Sequence, residues 1–379
     1  MPLPLIHDHP NPLQTLARHL LPHLPHSLAL FRHLQFHHSP PSAYVLATFP
    51  PNLSLSPQSF SATYVDRTRA PETECWIFST HEIPSSQHEP PDGSQQQQQQ
   101  PHDERLAEAK SQLLALLYAI SQLPSPTPLI IIGSFASTLL PLLGPTALVP
   151  HPVVPRKLLD LPDSNDSLLT GLSVPYTKWL IAPPPPSQVP TALPPGYTFA
   201  TLRRKELALT MSRTDIPKTE ETLAQLGSLG IRYNPSAAAT TSPEDGQGQL
   251  IAWAFIGVDG SLSSLHVEPA HRGKGLAKAV SKRLFAELAA DPMKMGFRPV
   301  GSGDNGGGED GSLGWAESNV AVENRESAGV ARGLRGKEGW EVRWVGVNLD
   351  RVEGAVREYF GADLLKCLYP RCQVRRAFQ

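Results

Sequence analysis

The 379-residue chain has only three cysteines, Cys75, Cys367 and Cys372, and their spacing fits neither a disulfide framework nor a zinc site. It also lacks an apolar run long enough to cross a bilayer, because glycine, serine and proline interrupt the longest candidate, residues 129–143. The start of the chain has neither the basic residues nor the unbroken apolar core of a signal peptide. We therefore expect a protein without a membrane span in a reducing intracellular compartment, with the cytoplasm expected first and the nucleus and mitochondrion left open.

A strong charge of either sign is absent as well. The 33 basic side chains nearly balance the 35 acidic ones, which gives a formal net charge of -2. Nucleic-acid binding that relies on bulk charge is therefore excluded, although a local basic patch stays open.

Proline, in contrast, is abundant, and the 40 prolines mark the joints of the chain. Residues 89–103 form a polar low-complexity insertion, and residues 182–196 indicate a stiff polyproline-like linker, more typical of a spacer than of a ligand for an aromatic groove. A glycine-rich stretch at 300–314 indicates a flexible insertion. The sequence thus predicts an N-terminal α/β lobe over 1–181, a linker at 182–196, and a C-terminal domain over 197–379 that folds in a chain starting near Ala182.

The most informative segment is residues 262–277, LSSLHVEPAHRGKGLA, in which a short strand directly precedes an Arg-Gly-Lys-Gly turn and an amphipathic helix. Gly273 and Gly275 let the backbone approach a ligand, and the N–H groups of residues 273–277 lie at the positive end of the helix dipole. This pattern is typical of a diphosphate site, and its plain alternative is an ordinary strand-to-helix connection. A Walker loop and a dinucleotide fingerprint fit worse, since neither the Lys-Ser or Lys-Thr pair nor three spaced glycines are present.

This segment resembles the GNAT acyltransferase superfamily, whose signature is Arg or Gln, two residues, Gly, one residue, then Gly or Ala. Arg272, Gly275 and Ala277 match that signature. The surrounding pattern agrees with the core order of the family: strand, Asp-Gly turn, strand, loop and helix, then a strand, a short helix and a closing strand. The predicted strands are residues 250–258, 262–267, 315–322 and 340–347.

The resemblance implies an α/β (α+β) fold in the C-terminal half, with a mixed, mostly antiparallel sheet flanked by helices. It implies acetyl-CoA or another acyl-CoA as co-substrate, no metal, and a small-molecule amine or amino acid as the acceptor. No nucleic-acid or membrane partner is expected, and the oligomeric state stays open. The positions that it assigns to the co-substrate are Leu265, His266, Val267, Arg272, Gly273, Lys274, Gly275, Leu276, Ala277, Asn324 and Ser327.

For catalysis, His266 and Glu268 are the candidate bases, because strand alternation places both on one face of the strand. The alternative is that His266 packs against the sheet while Glu268 caps the turn or pairs with Arg272. Glycine N-acyltransferases, a subgroup that the chain faintly resembles, carry an acidic base where Ser261 stands here, so that assignment does not transfer. Ala331 likewise stands where the family often has a tyrosine acid.

The pattern of residues 11–132 predicts a second α/β lobe, and the resemblance to the glycine N-acyltransferase subgroup implies a degenerate copy of the same fold. Eight of the 14 histidines fall within the first 38 residues, where a metal-binding tract is less expected than a solvated, compositionally biased segment. Acceptor selection would come from residues 213–233, whose polar members more simply form a solvated helix face; they are Thr214, Asp215, Lys218 and Glu221. Residues after Asp350 indicate either an acidic partner or a packing helix.

Three hypotheses follow. The first is an acyl-CoA-dependent N-acyltransferase. The second is a catalytically weak or inactive coenzyme A-binding module with a sensing or scaffold role, and the third is a scaffold that only binds a protein partner. The glycine turn separates the first two from the third, and thiol release with mixed amines separates the first from the second.

Overall fold

The computed structural model describes residues 3–84, 102–125, 127–144, 159–160, 168–214, 216–235, 248–299 and 315–361. The glycine-rich insertion, most of the polar insertion at 89–103, Asp215, and the tail with Cys367 and Cys372 lie outside these ranges. The chain divides into two compact units. The first comprises residues 1–30, 40–174 and 342–379, and the second comprises 31–39 and 175–341.

The first unit is built on a mixed sheet. Its strands follow the order β1-β2-β3-β4-β5-β14-β7-β6, where β14 contributes only its second half. All neighbouring strands are antiparallel except β4 and β5, which are parallel and meet at Cys75 and Ile132. The strands are β1 His7–Asp8, β2 Tyr44–Ala47, β3 Ser61–Val65, β4 Cys75–Ser79, β5 Leu129–Ala136, β6 Leu159–Asp160, β7 Leu169–Leu172 and β14 Lys337–Asn348.

Helices α1 Pro12–Thr15, α2 Ala17–Leu20, α4 His102–Ser121 and α9 Val352–Phe360 belong to the first unit, and α3 Leu28–Gln35 begins there. In α4, Leu113, Leu117 and Ile120 are buried, whereas Leu106 is 41% exposed because the first two turns of this helix are largely uncovered. Tyr359 of α9 donates a hydrogen bond to the Ala107 carbonyl. A packing helix after Asp350 is therefore present.

The second unit contains the predicted strand, turn, strand, loop and helix. Its antiparallel sheet has the order β12-β11-β10-β9, and α7 packs on it through Val280, Leu284, Phe285 and Leu288. The elements are β9 Tyr197–Ala200, α5 Leu207–Met211, α6 Glu220–Gln225, β10 Ser228–Tyr233, β11 Gln249–Ile256, β12 Leu262–Val267 and α7 Leu276–Ala290. Strand β12 occupies residues 262–267, as the sequence predicts.

A second group of strands completes this unit. Strand β13 (Ala316–Ala321) is antiparallel to β8 (Tyr176–Ile181), and β8 also pairs with β14. Helix α8 (Arg325–Gly333) follows β13, in agreement with the expected order of a strand, a short helix and a closing strand. Both units share one order of elements. In the first unit, the antiparallel strands β2-β3-β4 are followed by helix α4 and by β5, which is parallel to β4. In the second unit, the antiparallel strands β10-β11-β12 are followed by helix α7 and by β13, which has a parallel bridge to the residue before β12. The predicted mixed α/β fold class is confirmed, and this internal repeat agrees with the expected degenerate first lobe.

The division into two units differs from the predicted boundary at residues 182–196. Strand β8 precedes that linker, yet it lies in the second unit because it pairs with β13. Residues 31–39 lie there as well, since the buried Arg32 donates a hydrogen bond to the Trp315 carbonyl. The second half of β14, residues 342–348, lies in the first unit because it pairs with β5 and β7. These pairings join distant parts of the sequence, so composition gives no sign of them.

The N-terminal histidines are mostly packed rather than solvated. His9, His19, His26 and His33 are all at most 9% exposed. His9, for example, lies 3.0 Å from both the Phe49 carbonyl and the Thr15 hydroxyl. The described ranges contain no cluster of three or more metal-ligating side chains. Over the same ranges, no helix is both long and apolar enough to span a membrane.

Candidate functional site

A β-bulge interrupts β12 at the centre of the candidate site. Trp253 of β11 pairs with His266 and Phe255 pairs with Ser263, so Ser264 and Leu265 lie opposite the single residue Ala254. Ser264 accommodates the extra residue with a φ of 50°, in the left-handed region. Such a bulge bends the strand and leaves its ladder locally incomplete. Backbone groups in the middle of β12 are therefore available to a ligand.

Strands β12 and β13 form a fork, which we define as residues 261–267 and 317–321. One parallel bridge, between Ser261 and Glu317, joins the two segments at its closed end. Beyond that bridge β12 is an edge strand of its sheet, while β13 pairs on its far side with β8. An extended chain could add to the free edge of β12 as an additional strand would. Leu265, His266 and Val267 lie on that edge.

The glycine turn follows directly at the open end of the fork. A short 3-10 turn, Pro269–His271, leads into the loop, where Gly273 and Gly275 have φ values of 77° and 76°. A side chain at either position would meet no atom within 4 Å, so the space in front of the backbone is open. The 15-residue helix α7 begins at Leu276. Exposed N–H groups at the start of such a helix form a site for an anion such as a diphosphate.

The two basic side chains of the loop have partners within the protein. The Arg272 Nε donates to the Val267 carbonyl oxygen at 3.0 Å, and the Lys274 ammonium donates to the Tyr197 hydroxyl at 2.8 Å. The Glu268 N–H donates to the Ile251 carbonyl at 2.8 Å. These bonds fasten the loop to both edges of the four-stranded sheet. Lys274 is one of the positions that the resemblance assigns to the co-substrate, and this bond holds its ammonium at Tyr197.

His266 stacks on the fully buried Trp253, with ring centroids 4.7 Å apart and planes 22° from parallel. Its Nε2 is 3.8 Å from the Glu268 Oε2 and makes no hydrogen bond to any described residue. Burial lowers the pKa of His266 below its ordinary value of 6.5, and the attraction of Glu268 only partly opposes this shift. The imidazole is therefore neutral at pH 7 and can accept a proton.

Glu268 forms an ion pair with Arg213, whose Nε is 2.9 Å from its Oε1. Arg272, which the sequence offered as an alternative partner for Glu268, instead donates a hydrogen bond to the Val267 carbonyl. The structure thus brings His266 and Glu268 together on one side of the strand, while the stacking of His266 on Trp253 agrees with the alternative that this ring packs against the sheet. It adds Arg213, the first residue of the segment expected to select the acceptor.

Asn324 caps helix α8, because its side-chain oxygen accepts the Ser327 N–H at 2.9 Å. Ala331, at the position expected for a tyrosine acid, is 2% exposed and packs with Trp179 and Val320. This position therefore carries no proton donor, and its methyl group packs in the core of the second unit. Helix α8 itself contains no tyrosine.

Sequence reasoning missed a buried charge pair at the closed end of the fork. The Lys178 ammonium lies 2.6 Å from the Glu317 Oε1, and neither side chain is more than 2% exposed. Burial raises the pKa of Glu317, and Lys178 opposes that shift. Nearby, Asp259 accepts hydrogen bonds from the N–H and hydroxyl of Ser261. Lys178 and Glu317 are 139 positions apart in the chain, so no local sequence pattern indicates this ion pair.

Comparison with known families gives two matches. Residues 4–232 match the family described as the acyl-CoA N-acyltransferase verG N-terminal domain, and residues 243–302 match the FR47-like protein family. The second match contains β11, β12, the glycine loop and α7. The comparison with curated proteins gives no match.

Several solved structures are similar. A Drosophila protein of structural genomics origin is 13% identical, covering 91% of this chain and 98% of its own, with a TM-score of 0.52. At this identity the likeness shows the fold alone. A GCN5-related N-acetyltransferase from Sphaerobacter thermophilus is 12% identical over 90% of this chain and 94% of its own, with a TM-score of 0.40. A tandem GNAT protein of the clavulanic acid biosynthesis pathway is 12% identical over 90% and 97%, with a TM-score of 0.38.

Proposed function

Because the chain belongs to the acyl-CoA N-acyltransferase family of the verG N-terminal domain, we propose that it transfers an acyl group from an acyl-CoA to an amine. Acetyl-CoA is the default donor, and a small-molecule amine or amino acid is the default acceptor. One observation carries this proposal: the open glycine turn before α7 lies directly beyond the free edge of β12. The glycine turn suits the phosphates of a ligand, and the free edge of β12 suits an extended arm attached to them.

In the proposed binding mode, the N–H groups of residues 273–277 hold the diphosphate, and the backbone of Leu265–Val267 holds the thioester arm. The backbone N–H groups at the bulge are the nearest donors for the carbonyl oxygen, which gains negative charge during transfer. Positioning supplies much of the rate in such a reaction.

The thioester supplies the acyl group and a thiolate leaving group. The amine nitrogen forms a bond to the carbonyl carbon, the carbon–sulfur bond breaks, and the amine loses one proton. Neutral His266 accepts that proton, and Glu268, held by Arg213, stabilises the resulting imidazolium. The thiolate is a fair leaving group without full protonation, which is consistent with the absence of a tyrosine from α8.

The alternative is a coenzyme A-binding module that performs no transfer, and the buried Ala331 favours it. Two measurements on the full chain separate the possibilities. Calorimetry with acetyl-CoA tests binding, and thiol release with a panel of amines and amino acids tests transfer. Binding together with amine-dependent thiol release supports the enzyme. Binding without release for any amine supports the module, and no binding contradicts both.

A further inference from the structure

Tyr197 lies on the far edge of the four-stranded sheet from β12, yet it contacts the glycine loop. The starts of β9 and β11 and the ends of β10 and β12 share one end of this sheet, since Tyr197 pairs with Tyr233 and Tyr233 pairs with Gln249. The loop after β12 crosses that end. Tyr197 is 8% exposed, so its ring is fixed by packing before any ligand binds.

Two residues of the loop meet at the Tyr197 hydroxyl. The Lys274 ammonium donates to this oxygen at 2.8 Å, and the His271 Nδ1 lies 2.9 Å from it. The ammonium is also 5.4 Å from the centre of the Tyr197 ring. His271 precedes Arg272 and Lys274 precedes Gly275, so the two contacts hold both sides of the first glycine.

The aromatic neighbours limit the freedom of this cluster further. Tyr233 packs against Tyr197 with ring centroids 4.7 Å apart, and it contacts the His271 ring at 5.0 Å. The His271 ring meets Tyr197 edge to face at 5.7 Å. The Tyr197 hydroxyl therefore joins two side chains, His271 and Lys274, to the edge of the sheet.

We propose that Tyr197 is a positioning residue, which holds the loop in its acyl-CoA-binding form through Lys274 and His271. This inference rests on the proposed function. Gly273 and Gly275 give the loop many backbone conformations, and ordering them on binding would reduce affinity. The bonds to Tyr197 order the loop in advance. Lys274 then acts through Tyr197 rather than as a direct ligand of the diphosphate.

The test is titration calorimetry of the full chain with coenzyme A. Tyr197→Phe keeps the ring and removes both hydrogen bonds, and we expect coenzyme A to bind about five- to thirtyfold more weakly. The rate at saturating donor should stay unchanged while KM for the donor rises. Tyr233→Phe is the matched control, because it removes a hydroxyl from the neighbouring ring while leaving the Tyr197 contacts in place. Equal affinity of Tyr197→Phe and the wild type would overturn the inference.

A second variant covers the case in which Tyr197→Phe does not fold. Lys274→Met changes an exposed loop position, and a double-mutant cycle with Tyr197→Phe measures whether the two residues act together. We expect the double variant to bind no more weakly than the weaker single variant. Lys274→Met losing affinity independently of Tyr197, so that the two losses add, would show direct contact with phosphate and overturn the inference. If only Lys274→Met folds, an affinity equal to wild type contradicts the inference. A loss supports it where the dependence of the affinity on salt concentration stays that of the wild type, and a weaker salt dependence shows direct contact with phosphate and contradicts it. A wild-type chain that binds no coenzyme A would instead contradict the proposed function itself.

Discussion

Ser261 and Glu317 face each other in an isolated parallel bridge, and from this point β12 and β13 separate. Glu317 is fully buried in an ion pair with Lys178, whereas the opposite end of β12 leads to an exposed glycine loop. The fork therefore has a closed, charged base and an open end beside the glycine loop. We expect substitutions at the open end to change ligand binding and substitutions at the closed end to change stability.

At the open end, Gly275→Val should abolish coenzyme A binding without unfolding α7. The new side chain would occupy the open space before the helix, where we place the diphosphate, and it would strain a backbone with φ of 76°. Calorimetry measures the loss of binding, and circular dichroism checks the helix.

Gly361→Val is the matched control for backbone strain. Gly361 also has a positive φ, of 89°, and open space around it, but it follows α9 in the first unit. This variant should bind coenzyme A as the wild type does. Full binding by Gly275→Val would contradict the assignment of the loop.

His266→Ala should lower turnover by about ten- to a thousandfold, with little change in donor affinity, because it removes the proton acceptor. Activity in the wild type should fall as pH drops through the lowered pKa of His266, below 6.5, since a protonated imidazole cannot act as a base. The variant should lack this acidic limb in its pH–rate profile.

His38→Ala, at an exposed histidine in the same unit, serves as the control and should keep full turnover. Full turnover in His266→Ala combined with loss in Glu268→Gln would assign the base to Glu268. Activity in both variants would mean that transfer depends on positioning or on a base outside this strand.

At the closed base, Lys178→Met should reduce the free energy of unfolding by about 3–5 kcal/mol, because Glu317 would remain buried without its cation. The double variant Lys178→Met/Glu317→Leu should recover most of that loss, since no uncompensated charge remains. Denaturant titration of the single and double variants measures both. A double variant as unstable as Lys178→Met would show that the pair contributes packing rather than charge compensation.

Stability should decrease as the pH falls below about 6.5. Burial lowers the pKa values of His9 and His19, so the unfolded chain takes up protons more readily than the folded chain. Each such histidine makes the free energy of unfolding fall by at most about 1.4 kcal/mol per pH unit in this window. His9→Gln, which cannot titrate, should give a shallower slope between pH 7 and pH 5 than the wild type. An equal slope would remove His9 from this account.

Truncation tests the unit division. A chain that starts at Ala182 lacks β8, and therefore lacks both the partner strand of β13 and the partner of Glu317. We expect this chain to be poorly folded, and one that starts at Pro175 to keep more secondary structure. Cooperative unfolding of the Ala182 chain with full coenzyme A binding would support the boundary inferred from the proline linker instead.

Local features of the second unit could be predicted from the sequence. The hairpin around Asp259, the bounds of β12 and the start of α7 follow from short-range patterns of apolar residues and glycines. The bulge at Ser264 could not, because it depends on how β11 pairs with β12. The Lys178–Glu317 pair and the Tyr197 contacts also depend on residues that are 139, 74 and 77 positions apart. Pairing over such separations is a tertiary property, and one sequence carries no local sign of it.

Strand β14 begins in the second unit and ends in the first, with the change between Glu341 and Val342. On the ribosome, residues 1–174 of the first unit emerge early but lack this strand until residues 175–341 of the second unit have been synthesised. Until then, the edges of β5 and β7 lack β14, the strand that pairs with both of them. Domains normally fold in order as they are made. Here the first unit can complete its sheet only after residues 342–348 have left the exit tunnel, so completion of its sheet has to follow synthesis of the whole second unit.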